Sequence, residues 1–412
     1  MTASSVADTC RSCGSTAIEV FLSLGELPLA DALVTRDELD GPEERFALDV
    51  AFCPDCSLVQ IVNEVPPEKL FVDNYLYFSS FSDHLLAHSR DNALGLIRSR
   101  HLGADSLVVE VASNDGYLLR NFVEAGVPVL GIDPAPDQAA AAIDNGVPTI
   151  TEFFGPELAR RLVTEGRTAD VIIANNVMAH VPDLNGFVEG FAILLGDDGV
   201  VSVENPYVRD LIDHAEFDTI YHEHHCYFSC SAVDVLMSRH GLHLNDVEYF
   251  PNLHGGTLRW TIGRRAQRTQ RCEEYLDAER RDGLTEFGYY RDFARRVEQN
   301  RDELLTLLRQ LRADGKSIAG YGAAAKGATL VNYVGIGTDL VDFVVDRNVH
   351  KQGRFMPGTH QEILDPSALL ERRPDVVLLL AWNFADEIVR QQVEYQAQGG
   401  SFIVPVPRPR VL

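Results

Sequence analysis

Two apolar runs that end in glycine-containing turns constrain this chain more than any other feature: SLVVEVASNDGYLL, which contains Glu110, and SIAGYGAAAKG at Ser317 to Gly327. An apolar run of strand length, followed by a turn and an amphipathic stretch, starts a β-α unit. Behind the first run, strand candidates recur at Pro128 to Ile132, Val171 to Ala174 and Gly199 to Glu204. Helical stretches separate them around Gln138 to Asp144, Pro156 to Glu165 and Leu184 to Leu195. Behind the second, VDFVVDRN at Val341 to Asn348 and DVVLLLAWN at Asp375 to Asn383 supply two more strands. Alternation of this kind predicts an α/β chain with two doubly wound, mainly parallel sheets, the second smaller and Rossmann-like. The two units share no tandem sequence repeat.

The remaining organisation follows from this frame. Residues 1–70 are turn-rich, carry two cysteine pairs and end near a Pro66-Pro67 break, which suits a small metal-stapled module. Residues 71–265 open on a helical pattern from about Phe71 to His101 and hold the first α/β domain. Residues 266–313 are charged, with Tyr290, Phe293, Val297, Leu304, Leu308 and Leu311 at helical spacing, and are expected to form a long helical connector whose apolar stripe is packing surface. Residues 314–412 form the second α/β domain. At 412 residues the chain exceeds one comfortable core, and 45% apolar residues support several globular units.

A net charge of -25 repels a polyphosphate backbone, so nucleic acid is not an expected partner. Small phosphorylated ligands remain open. No apolar stretch approaches a membrane span, and the N-terminus MTASSVADTC lacks the basic-then-apolar order of a signal. The expectation is a cytoplasmic protein without membrane partners, and a monomer, since nothing in the pattern demands a dimer.

Seven cysteines is an odd number, and four fall in Cys10-x-x-Cys13 and Cys53-x-x-Cys56. In a reducing compartment such pairs suggest metal rather than disulfides. Each pair can offer two thiolates to one tetrahedral ion, and zinc suits four sulfurs without redox chemistry. The 39 residues between Cys13 and Cys53 exceed a compact zinc ribbon, so a sub-fold must bring the pairs together. Four sulfurs leave no position for a catalytic water, so this metal holds the fold. Cys226, Cys230 and Cys272 read as small buried hydrophobes.

In Glu110-Val-Ala-Ser-Asn-Asp-Gly116 a strand end enters a turn whose amides can approach a ligand, and Gly116 can take strained dihedrals. Asp133 of GIDP stands at the end of the next strand, where a carboxylate can accept from both hydroxyls of a ribose. A dinucleotide or S-adenosylmethionine fits such a site. A pyrophosphate favours bare amides in G-x-G-x-x-G, whereas Glu110, Ser113, Asn114 and Asp115 suit a cationic cofactor bearing an amino acid, which favours the methyl donor. Against this stands the plainer reading of Asp133 as a solvated strand-end acid.

Asn175-Asn176-Val-Met-Ala-His180-Val-Pro-Asp follows a buried strand, at the sheet edge where open α/β folds bind ligands. A second cluster, Tyr221-His222-Glu223-His224-His225-Cys226-Tyr227-Phe228, gathers three imidazoles, an acid and two phenols. One imidazole can take a proton from carbon near neutral pH. The spacing is not H-E-x-x-H, so a catalytic zinc site is not expected. For any single member, a buried structural histidine is the plainer alternative.

The paired cysteines, EVASNDG, NNVMAHVPD, YHEHHCYFS, GYGAAAKG and VDRNVHKQGRFMPGTH together resemble the sugar C-methyltransferases that act on dTDP-linked 4-keto-deoxysugars in antibiotic biosynthesis. The similarity spans nearly the whole chain. It implies a zinc-binding N-terminal module, a central methyltransferase domain binding S-adenosylmethionine, with Glu110, Ser113, Asn114, Gly116, Asp133, Asn175 and Asn176 at the cofactor, and a C-terminal Rossmann-like domain. It implies His224 as the base, with Glu223 and Tyr221 in support and His180 close by. That family's motif often continues H-E-H-F or H-E-H-Y, whereas His225 and Cys226 follow here.

With a 4-ketone substrate, the site needs a base near C3 and a donor near the C4 oxygen. Tyr221 and His180 are the candidate donors, and Glu223 is expected to orient an imidazole. The second glycine loop, with Tyr321, Gly322, Ala323 and Lys326, can present a helix N-terminus and a lysine to the diphosphate of the nucleotide-sugar. Arg347, Lys351 and Arg354 add positive charge there. Two alternatives remain: an oxidoreductase holding a dinucleotide on GYGAAAKG with Asp346 at its ribose, and a zinc-containing binding module without catalysis.

Overall fold

The computed structural model describes residues 7–65, 78–81, 83–253 and 255–412. The Pro66-Pro67 break and residues 71–77 of the first helical pattern lie outside the described residues, and the pattern's remainder contains the helix Asp83–Arg100. In the N-terminal module β1 (Glu19–Pro28), β2 (Arg45–Phe52) and β3 (Val59–Ile61) run antiparallel. Phe52 stacks on Tyr290 at 4.6 Å between ring centres, so the connector covers one face of this sheet.

The central sheet holds β4 (Val108–Val111), β5 (Val129–Ile132), β6 (Thr149–Ile150), β7 (Ala169–Asn175) and β8 (Leu195–Pro206), all parallel. The run VVEV of β4 is buried throughout because layers cover both faces, which is why it reads as continuous and not alternating. The segment β9 (Cys226–Tyr227) leaves this sheet and pairs with β3, Val59 opposite Tyr227 and Gln60 opposite Cys226. Beyond it, β10 (His243–Phe250) and β11 (Thr257–Gly263) form a hairpin on the β8 edge, giving the order β10-β11-β8-β7-β4-β5-β6. The sequence pattern missed this hairpin because a bulge between Leu244 and Asp246 breaks the two-residue alternation.

The helical connector expected over this stretch is built of three helices, Gln270–Arg281, Phe287–Tyr290 and Phe293–Ala313. Gly283 takes φ 82°, which stops the first helix and turns the chain. Tyr290, Phe293, Val297, Leu304 and Leu308 are buried, as their spacing foretells. On the first of these helices, Glu279 is fully buried and ties the connector to the central domain. Its Oε1 accepts from the Tyr207 hydroxyl and the Cys230 amide, both at 2.8 Å, and its Oε2 from the Ser231 amide at 2.8 Å and hydroxyl at 2.6 Å. Because Cys230 and Ser231 open the helix Cys230–Arg239, the carboxylate also meets a helix N-terminus. Glu279→Ala orphans these donors, and a loss of about 3 kcal/mol or more is expected in urea unfolding, with Glu279→Gln intermediate.

The C-terminal sheet has β12 (Ile318–Tyr321), β13 (Val344–Val345), β14 (Ile363–Leu364), β15 (Val376–Leu379), β16 (Ser401–Val404) and β17 (Arg410–Val411), ordered β14-β13-β12-β15-β16-β17. All pairs are parallel except β16 with β17. This domain also holds the first module: Val34 and Phe355 exchange backbone hydrogen bonds at 3.0 and 2.8 Å, and Glu43 accepts from the Gly358 amide at 2.6 Å and pairs with His360. No helix among the described residues is long and apolar enough to cross a membrane.

Candidate active site

The hairpin β1–β2 is the sub-fold that closes the cysteine separation. It brings Cys10 and Cys56 sulfurs to 3.4 Å and Cys13 and Cys53 sulfurs to 3.6 Å, with all four within 4.8 Å of one another. Tetrahedral zinc with bonds of about 2.3 Å needs sulfurs roughly 3.8 Å apart, so the quartet fits that ion. Each pair sits in a tight knuckle, with Gly14 at φ 74° and Ser57 at φ 60° turning the chain behind the ligands.

The first knuckle also grips the candidate catalytic segments. Asn185, just beyond the His180 turn, donates to the Arg11 and Ser12 carbonyls at 2.7 and 3.0 Å. The His225 amide donates to the Ala179 carbonyl at 2.7 Å, while the His225 carbonyl accepts from Ile61 of β3 at 3.0 Å. His222 Nε2 faces the Phe46 and Ala47 carbonyls of β2, both at 3.2 Å. His222 and His225 are therefore packing histidines, and burial holds His225 down to about 3.

At the cofactor turn, Ala112, Asn114 and Gly116 take φ of 57°, 48° and 76°. A Cβ at Gly116 would lie 2.9 Å from Val147 Cγ2, so the position admits no side chain. Asp133 accepts from the Asn114 amide at 2.8 Å and the Ala135 amide at 2.9 Å, which locks the turn of β4 to the end of β5. Glu110 is 1% exposed; burial first, then Asp133, Asp115 and Glu204, push its carboxyl well above the usual range. Glu110 Oε2, Ser113 Oγ, Asn175 Oδ1 and Asn176 Oδ1 have no hydrogen-bond partner among the described residues. A buried acidic cradle with spare acceptors suits a cationic ligand with hydroxyl and ammonium donors. S-adenosylmethionine has those groups.

Beside the cradle, Glu204 at the end of β8 meets His88 Nε2 at 3.0 Å and Arg259 Nε at 2.6 Å. Burial opposes its charge, but His88 and Arg259 outweigh that and keep the carboxyl below its usual range. Residues so far apart in the chain carried no joint signal in the sequence.

His180 and His224 meet edge to face, 4.7 Å between ring centres. His224 Nδ1 donates to the Thr219 carbonyl at 2.8 Å, which leaves Nε2 as the lone-pair nitrogen, and the Tyr221 hydroxyl donates to it at 2.8 Å. Burial, then His180, holds His224 well below the ordinary imidazole value, and burial lowers His180 to about 4. Both rings are neutral at pH 7. The orienting group for His224 is the Thr219 carbonyl, while the Glu223 backbone bonds the His180 imidazole and the charges that bear on its buried carboxyl are Asp31 and Lys351.

In the second glycine loop Gly322 takes φ 101°, and the Ala323 amide donates to Asp346 at 2.7 Å, so it is not bare. Lys351 donates to the Ala323 carbonyl at 2.7 Å and lies 4.0 Å from Asp31, while the exposed Arg347 pairs with Glu387 at 3.6 Å. Tyr321 is buried and Arg354 half-buried. Lys326 stands apart from these, its Nζ 5.0 Å from the Trp382 ring centre, and Trp382 Nε1 donates to the buried Asp218 at 2.6 Å. Neither Trp382 nor Asp218 stood out in the sequence.

Three family profiles match the chain: a methyltransferase zinc binding domain at residues 10–71, a methyltransferase domain at 82–247 and a C-methyltransferase C-terminal domain at 252–407. The C-methyltransferase NovU of Streptomyces niveus is 37% identical over 408 residues, 98% of this chain and 97% of that protein. The chain is an S-adenosylmethionine-dependent C-methyltransferase. A stretch covering 26% of this C-methyltransferase is 31% identical to the ubiquinone biosynthesis O-methyltransferase of Methylobacterium sp. (strain 4-46), over 45% of that protein. Magnesium protoporphyrin IX methyltransferase (ChlM) of Synechocystis PCC 6803, solved with SAH, aligns with 44% of this chain and 83% of its own at 14% identity and a TM-score of 0.35. The C-methyltransferase takes S-adenosylmethionine as cofactor and zinc as structural metal. The oxidoreductase and non-catalytic alternatives give way to this membership.

Proposed function

We propose that this C-methyltransferase acts on a dTDP-linked 4-keto-deoxysugar and methylates C3, the carbon beside the ketone. The observation that carries the reading is the neutral, oriented Tyr221–His224 pair beside His180, a base with donors around it. The ketone oxygen takes over the Tyr221 hydrogen bond and frees His224 Nε2. That nitrogen removes the C3 proton; the C–H pair becomes the C3–C4 double bond, and the carbonyl pair moves to oxygen, where Tyr221 and His180 stabilise it. S-adenosylmethionine, when bound, would supply an electrophilic methyl whose bond to the sulfonium sulfur breaks as C3 takes it and the enolate returns to the ketone, leaving S-adenosylhomocysteine. Glu110, Ser113, Asn114, Gly116, Asp133, Asn175 and Asn176 hold that cofactor in this reading.

The nucleotide end is assigned to the β12–β13 edge, with Tyr321, Gly322, Ala323, Arg347, Lys351 and Arg354 lining it. In this reading the enzyme works in the cytoplasm, as a monomer. Mass spectrometry of a dTDP-4-keto-deoxysugar incubated with S-adenosylmethionine in deuterated water tests the reading. A gain of one methyl with deuterium exchange at C3 is expected, and no gain with any keto-sugar despite cofactor binding overturns it. Because the His224 imidazole stays neutral below its ordinary 6.5, the acid limb of the rate should fall below that pH.

A further inference from the structure

The helix Ala325–Val334 of the C-terminal domain packs against the 3-10 turn Phe217–Thr219 of the central domain. Across that junction runs a connected set of side chains. Lys326 Nζ is buried 5.0 Å from the Trp382 ring centre and has no hydrogen-bond partner among the described residues. Trp382 Nε1 donates at 2.6 Å to Asp218 Oδ2, and Asp218 is 0% exposed with its Oδ1 also unpartnered. The next residue, Thr219, orients the His224 ring through its carbonyl. A buried ammonium without an acceptor is costly, so this one is placed for an oxygen that arrives with a ligand.

We propose that Lys326 is the cation that stabilises the negative charge developing on the substrate's ketone oxygen, with Trp382 and Asp218 as its positioning residues. The proposal rests on the keto-sugar reading and moves Lys326 from the diphosphate to the reacting end. A diphosphate at this point would bring standing negative charge beside the Asp218 carboxyl. A ketone oxygen brings none until the C3 proton leaves, so the ammonium acts selectively in the transition state. Lys326 acts through its field alone and exchanges no atom. Its field already reaches both neighbours: burial raises Asp218 to about 6 with Lys326 opposing, and Lys326 adds to the lowering of His224 after burial and His180.

The test is steady-state kinetics and C3 deuterium exchange for Lys326→Met, Lys326→Arg and Trp382→Phe, with cofactor affinity by calorimetry as the folding control. Loss of one such charge-stabilising group costs about 10²–10³ in kcat. Lys326→Met should show that loss in both kcat and exchange while KM for the sugar nucleotide holds; Lys326→Arg should recover part, and Trp382→Phe, which keeps the ring and loses the Asp218 bond, should fall about tenfold. A raised KM with kcat intact overturns the proposal and returns Lys326 to the diphosphate.

A second arm needs no substrate: the His224 ring, faced by Tyr221, His180, His225, Tyr227 and the Thr219 carbonyl as well as Lys326, is titrated by NMR. Lys326→Met should raise its pKa, and an unchanged titration overturns the proposal. Wild type without exchange or methyl gain sinks the keto-sugar reading instead, and the NMR arm then still decides whether the cation faces the base.

Discussion

Cys53→Ser should abolish methyl transfer, and a strong chelator should do the same to the wild type, although the four sulfurs touch no reacting group. A zinc ion on four thiolates contributes about 10 kcal/mol or more to folding, and beside it Gln60 of β3 ties in the first knuckle through the Arg11 amide and the Thr9 carbonyl. Loss of the knuckles frees the carbonyls of Arg11 and Ser12 that anchor Asn185, and loosens β3, which pairs with Cys226 and Tyr227. His180 and His224 each sit within a few residues of those anchors. Displacement of catalytic groups by about 1 Å costs on the order of 10²-fold, and loss of the anchoring sheet should cost at least 10³ in kcat/KM. Zinc content, thermal midpoint and turnover should fall together, and added zinc should restore the chelated wild type. Full turnover from metal-free protein would show that the catalytic segments hold their places unaided.

His224→Asn should lower both C3 exchange and methylation by about 10³–10⁴ while cofactor affinity stays at the wild-type value. Asparagine keeps an N–H for the Thr219 carbonyl and lacks the basic lone pair that Tyr221 now covers, so the change removes a base more than a fold element. Lost methylation with exchange retained would place the base elsewhere, with His180 the next ring to examine at 4.7 Å.

The α/β layout was legible because the buried strands declare themselves: VVEV, apolar but for Glu110, and the core of ADVIIAN have layers on both faces and so do not alternate. The turns that carry Gly116 and Gly322 were legible for a related reason, since both take positive φ at the end of a first strand. The four-cysteine site was visible in spacing alone. What escaped was tertiary: the β10–β11 hairpin, hidden by its bulge, and the Glu204–His88–Arg259 cluster, assembled from three distant segments. Trp382 was inside a strand candidate and its role came only from facing Asp218 across a domain boundary. The partner that orients His224 was hidden for the same reason, since it is a backbone carbonyl five residues upstream and carries no side-chain signal.

The pairing of β9 with β3 has a consequence for anyone recombining relatives of this enzyme. The N-terminal module is not a detachable cassette, because one edge of its sheet is completed by residues 226–227, encoded more than 160 positions later. A chimera joined at the end of the module would present a donor's β3 to a recipient's β9. Compatible exchange therefore needs three junctions, one after the module and two flanking the histidine-rich segment, so that matched edges travel together.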